Sequence, residues 1–272
     1  MKIKFKKIGV FMLFLMICLL LSVNVQADSD TRSYGWGMKP GKNGNRPEFG
    51  KLYEQILSRH NAYYIDDTTS KRVYLTFDAG YENGYTSQIL DVLKKNNVNA
   101  TFFLVGDYLN NEEELVKRMV NEGHFIGNHT YSHKDLTKLN KENYAFELKK
   151  FEDRYTELTG KKLMKIMRPP SGRFSERSLK IADELGYYNI FWSLAYKDWV
   201  IDKQRGWEYA YNEVMKKIHP GAIILMHPVS KDNALALEKI IIDLRIKGYE
   251  FVPITTLFMS EPLFVNGLKN LR

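Results

Sequence analysis

Five short stretches carry side chains able to do acid–base or metal chemistry. Asp78 lies in T-F-D-A-G, and His129 and His133 stand four apart in N-H-T-Y-S-H. Arg168 opens R-P-P-S-G-R, Asp198 and Trp199 are adjacent shortly after Trp192-Ser193, and His227 follows I-I-L-M. Two imidazoles at that spacing, in a helix or a turn, fall on one side and can grip a single ion. The two prolines fix the chain direction after Arg168, so its guanidinium is held rigidly and can pair bidentately with a carboxylate. Each piece alone also has an ordinary structural role: a turn-capping Asp, surface histidines, a plain turn, a satisfied core histidine. Together they make up the parts of a metal hydrolase: a carboxylate, a His pair, a rigid Arg, an Asp-Trp and a final His.

These residues need elements that end in the right places. From Arg72 onward the pattern alternates between apolar strands and amphipathic helices. It predicts strands at Arg72–Phe77, Ala100–Val105, Phe125–Asn128, Leu163–Met167, Tyr188–Ser193, Ala222–Met226 and Glu250–Pro253. Helices are predicted between most of them, at Tyr85–Lys95, Asn111–Glu122, Lys141–Leu158, Ser175–Leu185, Glu208–Ile218 and Ala234–Lys247. Such alternation argues for parallel strands joined by right-handed crossovers. The α/β architecture is then a small or incomplete barrel of about seven parallel strands, or an open doubly wound sheet. No phosphate-cradling glycine loop follows the first strand, which weakens a nucleotide-binding version. The candidate residues fall at or beyond strand C-terminal ends, where α/β folds place their chemistry.

The start of the chain predicts its compartment. Lys2, Lys4, Lys6 and Lys7 precede the apolar run Ile8–Val23, and Val25-Gln26-Ala27 suits a peptidase, so residues 1–27 read as a secretory signal. An uncleaved anchor is the alternative, since the run is slightly short of the roughly 20 residues that span a bilayer. If the signal is cleaved there is no permanent span, and either way the remainder is extracytoplasmic. Cys18, the only cysteine, lies inside that run, which leaves the mature chain without disulfide or thiol chemistry. Losing the four signal lysines lowers the net charge from +8 to +4. That balance suits an anionic polymer such as cell wall, and no basic run with interleaved aromatics points to nucleic acid. Residues 28–70 read as an N-terminal arm, extended on the domain or partly disordered. Trp36 is an isolated aromatic there, with a short helix at Leu52–His60 and an extended piece at Ala62–Ile65.

In this order, T-F-D-x-G, H-x-x-x-H, R-P-P-x-G, D-W and L-M-H resemble the motifs of the polysaccharide deacetylase family, the NodB-homology or family 4 carbohydrate esterases. The resemblance covers about residues 71–258 and leaves 259–272 as a tail. F-D-x-G-Y-E-N-G-Y-T and W-S-L-A-Y-K-D-W further resemble the sporulation branch, whose members deacetylate peptidoglycan N-acetylmuramic acid on the way to the muramic delta-lactam of spore cortex. The partner it implies is a peptidoglycan glycan strand freed of stem peptides, in the spore envelope space. It also implies Asp78 as general base with Arg168 orienting it, and His227 as general acid tuned by Asp198. His129 and His133 would hold a divalent metal, usually zinc in relatives. Backbone N–H groups near Tyr81 would meet the oxyanion, with Leu225 and Trp199 walling the acetyl methyl. Lys197 or Arg173 could meet the lactyl carboxylate.

Two positions depart from the family pattern. Ala79 stands where most members have a second Asp that ligates the metal, leaving Glu82, Asn83 or substrate as alternative oxygen donors. Ala195 replaces an acid common in relatives. The expected site is therefore metal-assisted but open. Deacetylation of N-acetylglucosamine polymers and carbohydrate O-ester hydrolysis are competing activities, and a wall-binding protein that kept only the fold is the non-enzymatic alternative.

Overall fold

The computed structural model describes residues 31–41 and 44–258. The signal segment with Cys18 and the tail 259–272 lie outside the described residues. In chain order the strands are β1 (Tyr34–Gly35), β2 (Ala62–Tyr63), β3 (Arg72–Ala79), β4 (Thr101–Leu104), β5 (Phe125–Asn128), β6 (Ile166–Met167), β7 (Arg173–Phe174), β8 (Tyr188–Ile190), β9 (Ala222–Met226) and β10 (Glu250–Phe251). The helices are α1 (Lys51–Leu57), α2 (Thr86–Lys95), α3 (Gly106–Asn111), α4 (Glu113–Asn121), α5 (Lys141–Thr159), α6 (Glu176–Glu184), α7 (Trp207–Lys217) and α8 (Lys231–Ile246).

The period-2 pattern of β3 sets up two layers. Val73, Leu75, Phe77 and Ala79 belong to the large apolar cluster that contains Ile89, Leu90 and Leu93 of α2 and Ile240, Ile241 and Leu244 of α8. Tyr74, of opposite parity, belongs to a second cluster with Phe103, Ile166, Ile190 and Ile223, each from a different strand. The first cluster cements helices to the sheet, and the second fills the barrel. Pairing is parallel throughout the main sheet. β3 pairs with β4, β9 and β10, and the ladder continues through β5, β6 and β8 to β2. A bridge between Leu194 and Ile224 links the run beyond β8 back to β9, so the sheet curls into a distorted, incomplete barrel.

All seven strands expected from the sequence are present, several of them shorter. Leu163–Met167 contracts to β6 by losing its start, while Tyr188–Ser193 contracts to β8 and Glu250–Pro253 to β10 by losing their ends. The helix expected over Asn111–Glu122 is α4, and the short α3 before it is an additional helix. Glu112 between them has φ −122° and ψ 41°, outside helical geometry. Long α5 begins at Asn140, whose side chain caps Asn143 N, and ends at Gly160 with φ 67°, a left-handed stop suited to glycine.

The arm is tightly fixed where it is described. β1 pairs antiparallel with β7, β2 joins the main sheet beside β8, and Trp36, 8% exposed, donates from Nε1 to the Trp192 carbonyl. Trp36 packs with Phe49, Tyr64 and Phe191, so the isolated aromatic of the sequence is the centre of an aromatic cluster.

Candidate active site

Register brings the chemical residues to one rim. Asp78 pairs with Phe103, Asn128 with Met167, and Met226 with Phe77. The residues at or just past these strand ends are Asp78, His129, Arg168 and His227. With Asp107 and Trp192 they surround or back a cavity of about 620 Å³, and Tyr81, Trp199 and Leu225 also line it.

Asp78 is held from behind. Arg168 is completely buried, and its Nη1 donates to Asp78 Oδ1 at 2.6 Å. The expected bidentate pairing is not formed, because Nε and Nη2 donate instead to the carbonyls of Ile190 and Phe191 at 2.9 and 3.2 Å. The guanidinium also lies over Phe103, 4.2 Å from the ring centroid. One cation thus closes the bottom of the site and leaves Asp78 Oδ2 to the cavity, 3.7 Å from His129 Nε2. Burial alone raises the Asp78 pKa, but Arg168, His129 and His227 outweigh it and hold the carboxyl below its ordinary range.

The two histidines sit on a tight loop, not a helix. Thr130 and His133 both have positive φ, 66° and 52°, so the chain folds back sharply and brings the imidazoles to a centroid separation of 4.9 Å. Three contacts hold this loop. Asn128 Oδ1 accepts from Thr130 N at 2.9 Å, Glu147 Oε2 accepts from Ser132 N at 2.8 Å, and Gly106 N donates to the Tyr131 carbonyl at 2.9 Å. Only glycine fits at 106, since a Cβ there would lie 2.5 Å from the Tyr131 ring. His129 Nδ1 bonds the Arg168 carbonyl at 2.7 Å, which leaves Nε2 as the lone-pair nitrogen facing the cavity. Burial lowers the His129 pKa to about 4 and also depresses that of His133, so both imidazoles are neutral donors at pH 7.

Across the cavity, His227 Nδ1 bonds Asp198 Oδ1 at 2.7 Å, while His227 N donates to Asp198 Oδ2 at 2.8 Å. Burial opposes the imidazolium charge, but Asp198, together with Asp78, overcomes it and raises the His227 pKa above its ordinary value. Asp198 Oδ1 therefore faces Nδ1–H and leaves Nε2 for the cavity. The Trp199 ring stands edge-on to His227 at 5.5 Å and is 51% exposed.

A polysaccharide deacetylase family model matches residues 65–190, a span that includes Asp78, both loop histidines and Arg168 but stops short of Asp198 and His227. The peptidoglycan-N-acetylmuramic acid deacetylase PdaA of Bacillus subtilis is 44% identical over 233 residues, 86% of this chain and 89% of PdaA. Its solved structure, described as a family 4 carbohydrate esterase, superposes with a TM-score of 0.82 over 84% of this chain and 97% of that one. The chain belongs to the polysaccharide deacetylase family. It is a hydrolase of amide C–N bonds with the family's curled barrel. A Bacillus anthracis family 4 esterase is similar at 45% identity, with a TM-score of 0.71 over 84% of this chain and 96% of that one. A Bacillus anthracis protein described as a family 4 pseudoenzyme is 34% identical, with a TM-score of 0.66 over 72% and 68% of the two chains. In this family, then, the fold alone does not carry the activity, and individual side chains must.

Set beside that family, several placements sharpen the sequence expectations. Ala79 is completely buried and belongs to the helix-facing cluster. Glu82 does not take over as an oxygen donor: its carboxylate accepts from Gly84 N and Tyr108 OH at 2.6 and 2.9 Å and from the Thr86 hydroxyl. Asn83 is likewise turned away and donates to the Val229 carbonyl at 2.9 Å. Among the described residues no group of three His, Cys, Asp or Glu side chains is placed to hold an ion. The chemistry of the two neutral imidazoles fits a divalent cation, but as two ligands of an open site. Arg173 and Lys197 do not line the cavity. Arg173 pairs through its backbone with β1 and turns Nε to within 3.9 Å of Asp135, while Lys197 lines a shallow groove behind Asp198. Asp107 and Trp192 line the cavity without having been expected there. Asp107, directly after Gly106 at the start of α3, could have been sought from strand-end position alone.

Proposed function

We propose that the chain removes the N-acetyl group from N-acetylmuramic acid in peptidoglycan glycan strands whose stem peptides have been cut away. The observation that carries this is a carboxylate opposed to an imidazole. Asp78, paired with Arg168, and His227, whose protonated form Asp198 favours, meet one cavity from opposite sides. PdaA, similar over 89% of its length, is named for deacetylating peptidoglycan N-acetylmuramic acid.

Asp78 Oδ2 takes a proton from water as its oxygen attacks the acetyl carbonyl carbon. The oxyanion that forms meets backbone N–H groups near Tyr81, where the chain leaves β3. His227 Nε2–H then gives its proton to the sugar nitrogen as the C–N bond breaks, and Asp198 holds the ring in place. Acetate and a free amine result. Leu225 and Trp199 wall the methyl group. A divalent cation, zinc by expectation, would be held by His129 and His133 and when bound would polarise the carbonyl. On muramic acid the freed amine lies close to the lactyl carboxyl, so lactam closure in spore cortex is the expected sequel.

One observation favours a second substrate. Among the described residues no Lys or Arg lines the cavity to pair with a lactyl carboxylate, and an N-acetylglucosamine polymer fits as well electrostatically. The test is acetate release from three substrates: stem-peptide-free peptidoglycan, chitooligosaccharide and an O-acetylated xylan. Release from the first alone is expected. Release from chitooligosaccharide alone selects the second reading, and none from any selects a wall-binding protein.

A further inference from the structure

Behind Asp198 lies a side chain that no motif contains. Asn233, in the first turn of α8, is 1% exposed, and every polar atom of its amide is engaged. Nδ2 donates to Asp198 Oδ2 at 2.6 Å and to the His227 carbonyl at 3.0 Å, while Oδ1 accepts from the Tyr196 hydroxyl at 2.5 Å. The amide orientation is dictated, because the carboxylate and the carbonyl can only accept, so Nδ2 must face them. Ser230 caps Asn233 N at 3.2 Å and donates to Gln204 Oε1, and Gln204 Nε2 binds the carbonyls of Asp198 and Val200. The start of α8 therefore anchors the loop that carries Asp198. Neither Asn233 nor Tyr196 lines the catalytic cavity.

We propose that Asn233, oriented by Tyr196, is a positioning residue that fixes the Asp198–His227 pair and moderates how strongly Asp198 holds the proton on His227. This rests on the reading of His227 as the general acid. The physical basis is division of one negative charge. Asp198 Oδ2 receives Asn233 Nδ2–H as well as His227 N–H, so part of its charge is drawn away from the imidazole. Removing that donor returns charge to the His227 contact, so the ring holds its proton more tightly and gives it up less readily. The other groups acting on His227 are the charged Asp78 and Arg168 and the imidazole of His133, and all are untouched by changes at 233 or 196.

The experiment compares the wild type with Asn233→Leu and Tyr196→Phe. It uses kcat, KM and the pH profile of acetate release, together with NMR titration of the His227 imidazole in the free protein. Asn233→Leu is expected to lower kcat by about tenfold or more with KM nearly unchanged, and to move the alkaline limb and the His227 titration upward. Tyr196→Phe keeps the amide and deletes only its anchor, so it should shift both readouts the same way by a smaller amount. If Asn233→Leu does not fold, Tyr196→Phe decides. An unmoved His227 titration in the folded variant, or a rise in KM at constant kcat, overturns the proposal. If the wild type releases no acetate, the deacetylase reading fails while the NMR titration still tests the coupling.

Discussion

The base side and the acid side of the cavity hold their carboxylates by opposite means. Asp78 is gripped by one fully buried cation, whose Nε and Nη2 donate to backbone carbonyls at the strand end beside it. Asp198 is held by donors on a loop and a helix start: a histidine ring, a backbone N–H and an amide. The first arrangement locks charge into the barrel floor, so chemistry and folding share the same ion pair. The second buries its carboxylate as deeply but shares the charge among three donors, so Asp198 keeps a backbone N–H and an amide when the ring changes state.

That difference can be broken most forcefully from the base side. Arg168→Met should abolish acetate release and lower stability by about 3–5 kcal/mol in urea unfolding, because Asp78 is left as an uncompensated buried charge. His227→Gln should cost about 10²- to 10⁴-fold in kcat, the usual contribution of a general acid, with stability within about 1 kcal/mol of the parent. Equal destabilisation by the two would erase the distinction.

Titration sharpens it. The Asp78 pKa is lowered, so the base form and the stability it contributes are present above the ordinary carboxylate value and are lost only as pH falls through the lower folded value. The His227 pKa is raised, so the acid form persists past the ordinary imidazole value and disappears as pH rises through the higher folded one. The pH profile of kcat should therefore be a bell, broadened on both sides. An alkaline limb at or below 6.5 would contradict the Asp198 coupling. The smallest effect belongs to chelation. With two imidazoles and Ala79, EDTA should remove bound metal readily and lower kcat by several-fold, and added zinc should restore it.

Much of this site was legible because its chemistry is written in residue types at strand ends. Asp78, Arg168, His129, His133 and His227 were all readable, since apolar β-branched runs mark the strands and the polar residue that follows marks the rim. What packs against what was not. Trp36 looked solitary because its partners are Phe49, Tyr64 and Phe191, the last far away in sequence. Arg168 was expected to fork onto a carboxylate, and only the carbonyls of Ile190 and Phe191 explain why it does not. Asn233 begins an ordinary amphipathic helix, and nothing in V-S-K-D-N distinguishes it from a solvated first turn. The separate α3 is not legible either, because G-D-Y-L-N-N is too short to show an apolar period of its own.

The most direct test is Asp78→Asn, assayed for acetate release on peptidoglycan glycan freed of stem peptides, with folding checked by circular dichroism. The side chain keeps its shape, but the amide cannot accept a proton from water. A folded variant is expected to release acetate at least about 10³-fold more slowly than the parent, together with a loss of stability from the unpaired Arg168. Release at the parental rate by the folded variant would contradict the assignment of Asp78 as the base.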